Sequence, residues 1–149
     1  IAWLPPDAVL CGSEKVCGPN HFLTGQIEAL YPSDRTPWRY PNSGGIVGQA
    51  QALVALLHGL IHDLPDGTTL EASENDQVRL HDYLLARAGQ GDPFPLHLDL
   101  DCQVFQCMYE EQPQWDVDAG PRGAAADAAP RIVNRLTRAQ PVVAHGNGH

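Results

Sequence analysis

The sequence predicts an α/β sheet domain on three observations: short apolar runs that end at turn residues, two longer segments with helical periodicity, and the interleaving of the two kinds along the chain. A chain of 149 residues is long enough for one domain with a real core, burying roughly 70% of the surface its unfolded form exposes. The expected organisation is a single domain over residues 1–149, with a flexible Ala/Gly/Pro-rich insertion at about 119–130.

In chain order, Ala8-Val9-Leu10-Cys11 is an apolar run closed by Gly12-Ser13, too short for a helix, and reads as an interior strand. The polar stretch from Pro19 to Pro41 carries Pro32 and Pro37 with Tyr31, Trp38 and Tyr40 between them, and reads as a surface loop with aromatic anchors. Ile46-Val47-Gly48 ends a second strand. From Ala50, the residues Leu53, Leu56, Leu57, Leu60 and Ile61 recur at helical spacing on one face. The segment Asp63 to Thr69 breaks that pattern. Ser73 precedes a second helix through Val78, His81, Leu84, Leu85 and Ala88, which Gly89 and Gly91 close. Leu96–Asp99 and Gln103–Met108 alternate as half-buried strands, and Pro141–Ala144 leads a last strand into His145.

Charge excludes some partners. Nine basic against eighteen acidic residues leave −9, with no Lys/Arg cluster to neutralise consecutive phosphates, so neither nucleic acid nor an anionic membrane surface is expected. The longest apolar stretch, Ala52 to Ile61, is interrupted by His58 and Gly59 and falls short of the roughly 20 residues of a membrane span. The opening Ile1-Ala2-Trp3-Leu4-Pro5-Pro6 has no initiator Met and no targeting segment, which suggests a fragment. Cys11, Cys17, Cys102 and Cys107 lack zinc-pair spacing; four thiols allow three pairings, none chosen by the sequence, and buried small apolar residues are the expectation.

Three polar motifs carry the chemistry: Pro41-Asn42-Ser43-Gly44-Gly45-Ile46-Val47-Gly48, Ser73-Glu74-Asn75-Asp76-Gln77, and His145-Gly146-Asn147-Gly148-His149. Sugar transfer from a nucleotide diphosphate needs charge neutralised at the leaving pyrophosphate, backbone close to the sugar, and a carboxylate or polar pair near the acceptor hydroxyl. Gly44 and Gly45 let backbone approach a ligand, while Asn42 and Ser43 supply donors and acceptors for hydroxyls. Asp76 also fits a capping box with Ser73 at a helix start, where an anionic carboxylate is favoured. His145 follows an apolar strand, at the carboxyl end where α/β sheets bind ligands, and is a candidate metal ligand. Two other patterns compete. His97-x-Asp99 followed by His145 has the order of an iron and 2-oxoglutarate oxygenase site, but no Arg follows to hold the co-substrate. Asp99-Leu100-Asp101 imitates a metal-binding Asp-x-Asp but lies downstream of the Gly-Gly pair, and Asp99 is expected to be structural.

The chain resembles the glycosyltransferase domain of the procollagen lysyl hydroxylase and glycosyltransferase family. Glu14-Lys15-Val16-Cys17-Gly18-Pro19 is similar to the family's Glu-x-x-Cys-Trp-Pro, and Tyr40–Gly48 to its Phe/Tyr-Leu-Asn-Ser-Gly-Gly-Phe-Ile-Gly. Asn75-Asp76-Gln77 falls where the family has an acidic run ending in Asp-Gln. Leu98-Asp99 with Cys102–Gln106 resembles Leu-Asp-His-Lys-Cys-Gln-Ile-Phe-Gln, and Pro141–Gly148 resembles Pro-Val-Val-Ile-His-Gly-Asn-Gly. The resemblance implies a GT-A-like fold, incomplete at its amino terminus, with a manganese ion (Mn2+), a UDP-sugar donor, and hydroxylysine or galactosyl-hydroxylysine of collagen-like chains as acceptor. It implies His145 on the metal, and Asn147 and Gly148 on the nucleotide diphosphate. It further implies Asn42, Ser43, Gly44, Gly45 and Gln77 about the substrates, and Asp76 with Asn75 as the catalytic pair on the acceptor side. The family works in the endoplasmic reticulum lumen. Gly18 stands where the family has Trp, Asn75 replaces an acidic residue, and the family's Asp-x-Asp half would precede Ile1. Those departures motivate an alternative, a non-catalytic remnant acting as a binding module.

Overall fold

A computed structural model describes residues 2–62, 75–108, 114–118 and 130–146. Its mixed α/β architecture runs β1 (Val9–Glu14), a 3-10 turn (His21–Leu23), α1 (Thr24–Leu30), β2 (Tyr40–Gly48), α2 (Ala50–His62), α3 (Asp76–Gly89), β3 (Leu96–Leu98), β4 (Phe105–Cys107), β5 (Trp115–Asp118), β6 (Arg131–Asn134) and β7 (Val143–His145). The described strands form three small sheets: β2-β1-β3, β4-β7 and β5-β6. β1 pairs with β2 antiparallel and with β3 parallel, β4 pairs with β7 parallel, and β5-β6 is an antiparallel ladder.

β1 is the centre, buried at all six positions. The apolar run is only its first half, because the strand continues through Gly12-Ser13 to Glu14. A β-bulge decides the shape of the edge beside it. Cys11 faces Ile46 while the next residue, Gly12, faces Asn42, so Ser43, Gly44 and Gly45 have no partner on β1 and bow out of the ladder. The carbonyl of Asn42 at the base of the bulge accepts from the thiol of Cys11 at 3.2 Å, and burial pushes that thiol up to about 12, so it keeps its proton.

The segment between Pro19 and Pro41 is more than a loop. It holds a helical turn and α1, with Ile27, Trp38 and Tyr40 buried, because the aromatic anchors pack inward. Glu28 of α1 accepts from both Arg39 and the Tyr40 hydroxyl, which ties α1 to the start of β2. The main core gathers Val9, Cys11, Ala52, Leu56, Leu80, Tyr83, Leu84 and Leu96 between the sheet and α2 and α3. On α2 the buried line is Ala52, Leu56 and Gly59, whereas Leu57 and Ile61, expected on the inner face, are 48% and 43% exposed. A Cβ on Gly59 would run into the Tyr83 ring, so that glycine sets how closely α2 and α3 approach.

α3 starts at Asp76, and its cap is Asn75, whose side chain accepts from the N–H of Gln77 (3.0 Å) and Val78 (3.3 Å). Asn75 therefore takes the role that the sequence suggests for the Ser73-Asp76 box. Ser73 and Glu74 lie outside the described residues, as do Asn147, Gly148 and His149 and the insertion expected at about 119–130, except Pro130. All four cysteines are buried, as expected. Among the described residues, no helix is long and apolar enough to cross a membrane. The β5-β6 ladder was not legible, since Trp115-Asp116-Val117-Asp118 offers only two apolar side chains and its partner lies across the Ala/Gly/Pro-rich stretch.

Candidate functional site

The bulge, the start of α3 and the end of β7 meet in one place. β7 lies parallel to β4, with His145 opposite Cys107 and the carbonyl of His145 accepting from the N–H of Met108 at 2.9 Å. That register holds the imidazole against the bulge. A Cβ added to Gly44 would lie 2.7 Å from Cδ2 of His145 and closer still to Nε2 and Cε1, so the ring fills the space a side chain at 44 would need. A Cβ on Gly45 would lie 2.7 Å from Cδ1 of Phe105, on β4. Two rings therefore close on the bulge at the glycine pair, where a side chain at either position would obstruct them.

A chain of hydrogen bonds links the bulge to α3. The N–H of Gly44 donates to Oδ1 of Asn42 at 2.9 Å, and Nδ2 of Asn42 donates to Oε2 of Glu14 at 3.2 Å. The other oxygen, Oε1, accepts from the side-chain amide of Gln77, which also donates to the carbonyl of Gly18. Glu14 is 6% exposed and Asn42 4%. A carboxylate so deeply buried is tolerable because both its oxygens are engaged by donors. Glu14 joins the frame although no chemical role is expected for it from the sequence; its signal is its place at the head of Glu14-Lys15-Val16-Cys17, at the end of a strand buried at all six positions.

Around this frame, Ser43 and His145 are half-buried, Gly44 is exposed, Gln77 is half-buried and Asp76, next to Gln77, is exposed at the first position of α3. The frame brings Asn42, Gly44, Gln77 and His145 together, and Asp76 lies one residue from Gln77. Asn75 directs its side chain to the cap. On the inner face of α3, His81 is fully buried: Nε2 lies 3.2 Å from the carbonyl of Pro41 and Nδ1 lies 4.0 Å from Sγ of Cys17. One proton placement satisfies both contacts, with Nε2–H donating to Pro41 and Nδ1 accepting from the thiol. Burial holds the His81 pKa below its usual 6.5, against the opposing pull of the Pro41 carbonyl and Asp82, and burial also raises the Cys17 thiol.

Asp99 is structural. Its Oδ1 accepts from the N–H of Gln103 at 2.9 Å, and its Oδ2 accepts from Val104 at 2.7 Å and Phe105 at 2.8 Å. With three backbone N–H groups on its carboxylate, Asp99 serves to close the turn into β4, which counts against the oxygenase set His97, Asp99 and His145. Among the described residues, no group of three or more His, Cys, Asp or Glu is arranged to hold a metal ion. His145 offers one imidazole at the cleft, and one such ligand does not make a manganese site, since hard divalent cations take mostly oxygen ligands.

The sequence is similar to an uncharacterized protein of Acanthamoeba polyphaga mimivirus, 26% identical over 147 residues that cover 97% of this chain. The chain spans about a quarter of that relative's length. The family described as the PLOD GT domain matches residues 4–149. Mixed small sheets and helices, with the glycine bulge, Asp76 and His145 about one frame, are consistent with a glycosyltransferase domain, and the chain belongs to the PLOD glycosyltransferase domain family.

Proposed function

We propose that this chain forms the donor- and acceptor-facing wall of a GT-A-type glycosyltransferase that moves a hexose from a UDP-sugar to a hydroxyl group, with hydroxylysine or galactosyl-hydroxylysine of collagen-like chains as the acceptor class. The observation that carries the reading is the packing of the His145 imidazole on the Cβ-less face of Gly44, with the Asn42, Glu14 and Gln77 side chains connecting that face to the start of α3.

In this mechanism each residue has a limited task. The exposed Gly44 backbone and the Ser43 hydroxyl border the sugar, and Asn42, fixed at both ends of its amide, keeps the bulge in one shape. The Asp76 carboxylate, at the first position of α3, accepts a hydrogen bond from the incoming hydroxyl and takes its proton as the new bond forms. His145 sits on the leaving-group side. A divalent metal such as Mn2+ would neutralise the departing diphosphate with His145 as one ligand, and the described residues do not by themselves complete its coordination.

Calorimetric titration of UDP with Mn2+, together with hexose transfer from UDP-sugars to a hydroxylysine peptide, tests the reading. Metal-dependent UDP uptake that His145→Ala abolishes, and transfer that Asp76→Asn abolishes while uptake survives, are the expected results. UDP uptake indifferent to His145→Ala would overturn the assignment. Uptake without transfer would instead favour the second reading, a non-catalytic binding module. Two observations support that one: Asn75, replacing an acid, is occupied in capping, and no three-ligand metal group occurs among the described residues.

A further inference from the structure

Away from the cleft, α2 ends in a pair of imidazoles. His58 and His62 stand four residues apart, both exposed, and residues at that spacing are neighbours on a helix surface. Their ring centroids are 4.5 Å apart, with the planes tilted by 49°. Imidazole nitrogen binds zinc at about 2.0–2.1 Å; with roughly 1.1 Å from that nitrogen to the ring centre, two rings on one cation at about 90–110° have centres about 4.5–5.2 Å apart. The ring centres already stand within that range. His62 also lies in the last turn of α2, the end of a helix that favours positive charge.

We infer that His58 and His62 form a bidentate surface site for a late first-row divalent cation of the Zn2+ or Cu2+ class, with water completing the coordination. Two imidazoles discriminate against Mn2+, the weakest of the series at nitrogen ligands, so this site takes a different ion from the one proposed at His145. A bound ion bridges one turn of the helix and clamps the carboxyl end of α2, which packs on α3 through Gly59 and Tyr83.

The test is a Zn2+ titration of the full chain without nucleotide, followed by isothermal calorimetry, with Cu2+ paramagnetic resonance to count nitrogen ligands. Zn2+ binding at least about tenfold weaker in either His58→Ala or His62→Ala, two nitrogens on Cu2+ falling to one in each variant, and unchanged binding in His145→Ala and His97→Ala are expected. Both positions are exposed and alanine favours helix, and His58→Gln and His62→Gln provide a second pair of variants. Zn2+ affinity unchanged in His58→Ala/His62→Ala, absence of a Zn2+ site, or loss of the site in His145→Ala would each overturn the assignment. None of these outcomes bears on sugar transfer.

Discussion

Gly44→Ala separates function from stability at a single position. The new Cβ would fall inside the His145 ring, less than 2.7 Å from two of its atoms, whereas ordinary contact begins near 3.4 Å. One of the two groups must leave. Gly44 is exposed and its backbone is not in the left-handed region, so alanine costs little there; the half-buried imidazole has solvent to swing into and gives way. An off-rotamer side chain costs about 0.5–1.5 kcal/mol, and a chain of this size loses roughly 2–4 °C of Tm per kcal/mol. Gly44→Ala should therefore lower Tm by only a few degrees while reducing UDP uptake as far as His145→Ala does. The double variant Gly44→Ala/His145→Ala is the decisive measurement. With the ring gone its clash with the added methyl goes too, so Tm should return towards the His145→Ala value and UDP uptake should fall no further. Additive losses in the double variant, or full UDP uptake by Gly44→Ala, would refute the reasoning. Gly45→Ala is the contrast: its Cβ meets the buried Phe105 ring at 2.7 Å, so overpacking of about 1–3 kcal/mol should appear in stability.

Three further outcomes follow from the same frame. Glu14→Gln turns an amide N–H toward one of the two donors that Glu14 now accepts, and should cost about 1–3 kcal/mol, read as a lower urea midpoint at unchanged slope. Asn75→Ala removes the cap of α3 and should cost about 0.5–2 kcal/mol, whereas Asn75→Asp should restore most of it; equal loss in both would refute the capping role. Because His81 has a folded pKa below 6.5, the unfolded chain binds its proton first, so stability is fully present above that value and falls as pH drops through 6.5 towards the folded pKa. Urea midpoints measured from pH 7.5 downwards should show that loss, and His81→Gln should flatten it.

Local pattern in the sequence was enough to determine the existence and type of the main elements. A glycine-closed apolar run marks β1, helical spacing marks α2 and α3, alternation marks β3 and β4, and the run Pro141–Ala144 marks β7, because side-chain pattern is a property of neighbours in the chain. The three polar motifs were likewise visible, since Asn-Ser-Gly-Gly, Asn-Asp-Gln and a histidine after a strand are contiguous words. The family followed from their order. What they do to one another was decided only in three dimensions. Nothing along the chain says that Gly44 lacks a side chain to admit His145, one hundred residues away, because that fact depends on β7 pairing with β4 and β4 resting on the bulge. Nor does sequence pattern distinguish Asp99, whose carboxylate closes a turn, from Glu14, whose carboxylate joins a strand to a helix. Asp99 lies between two leucines and Glu14 between Ser13 and Lys15, yet only the position of their N–H donors shows what each carboxylate holds. The bulge itself arises from a register jump between Cys11 and Gly12, set by pairing energy across two strands and thus invisible in either one.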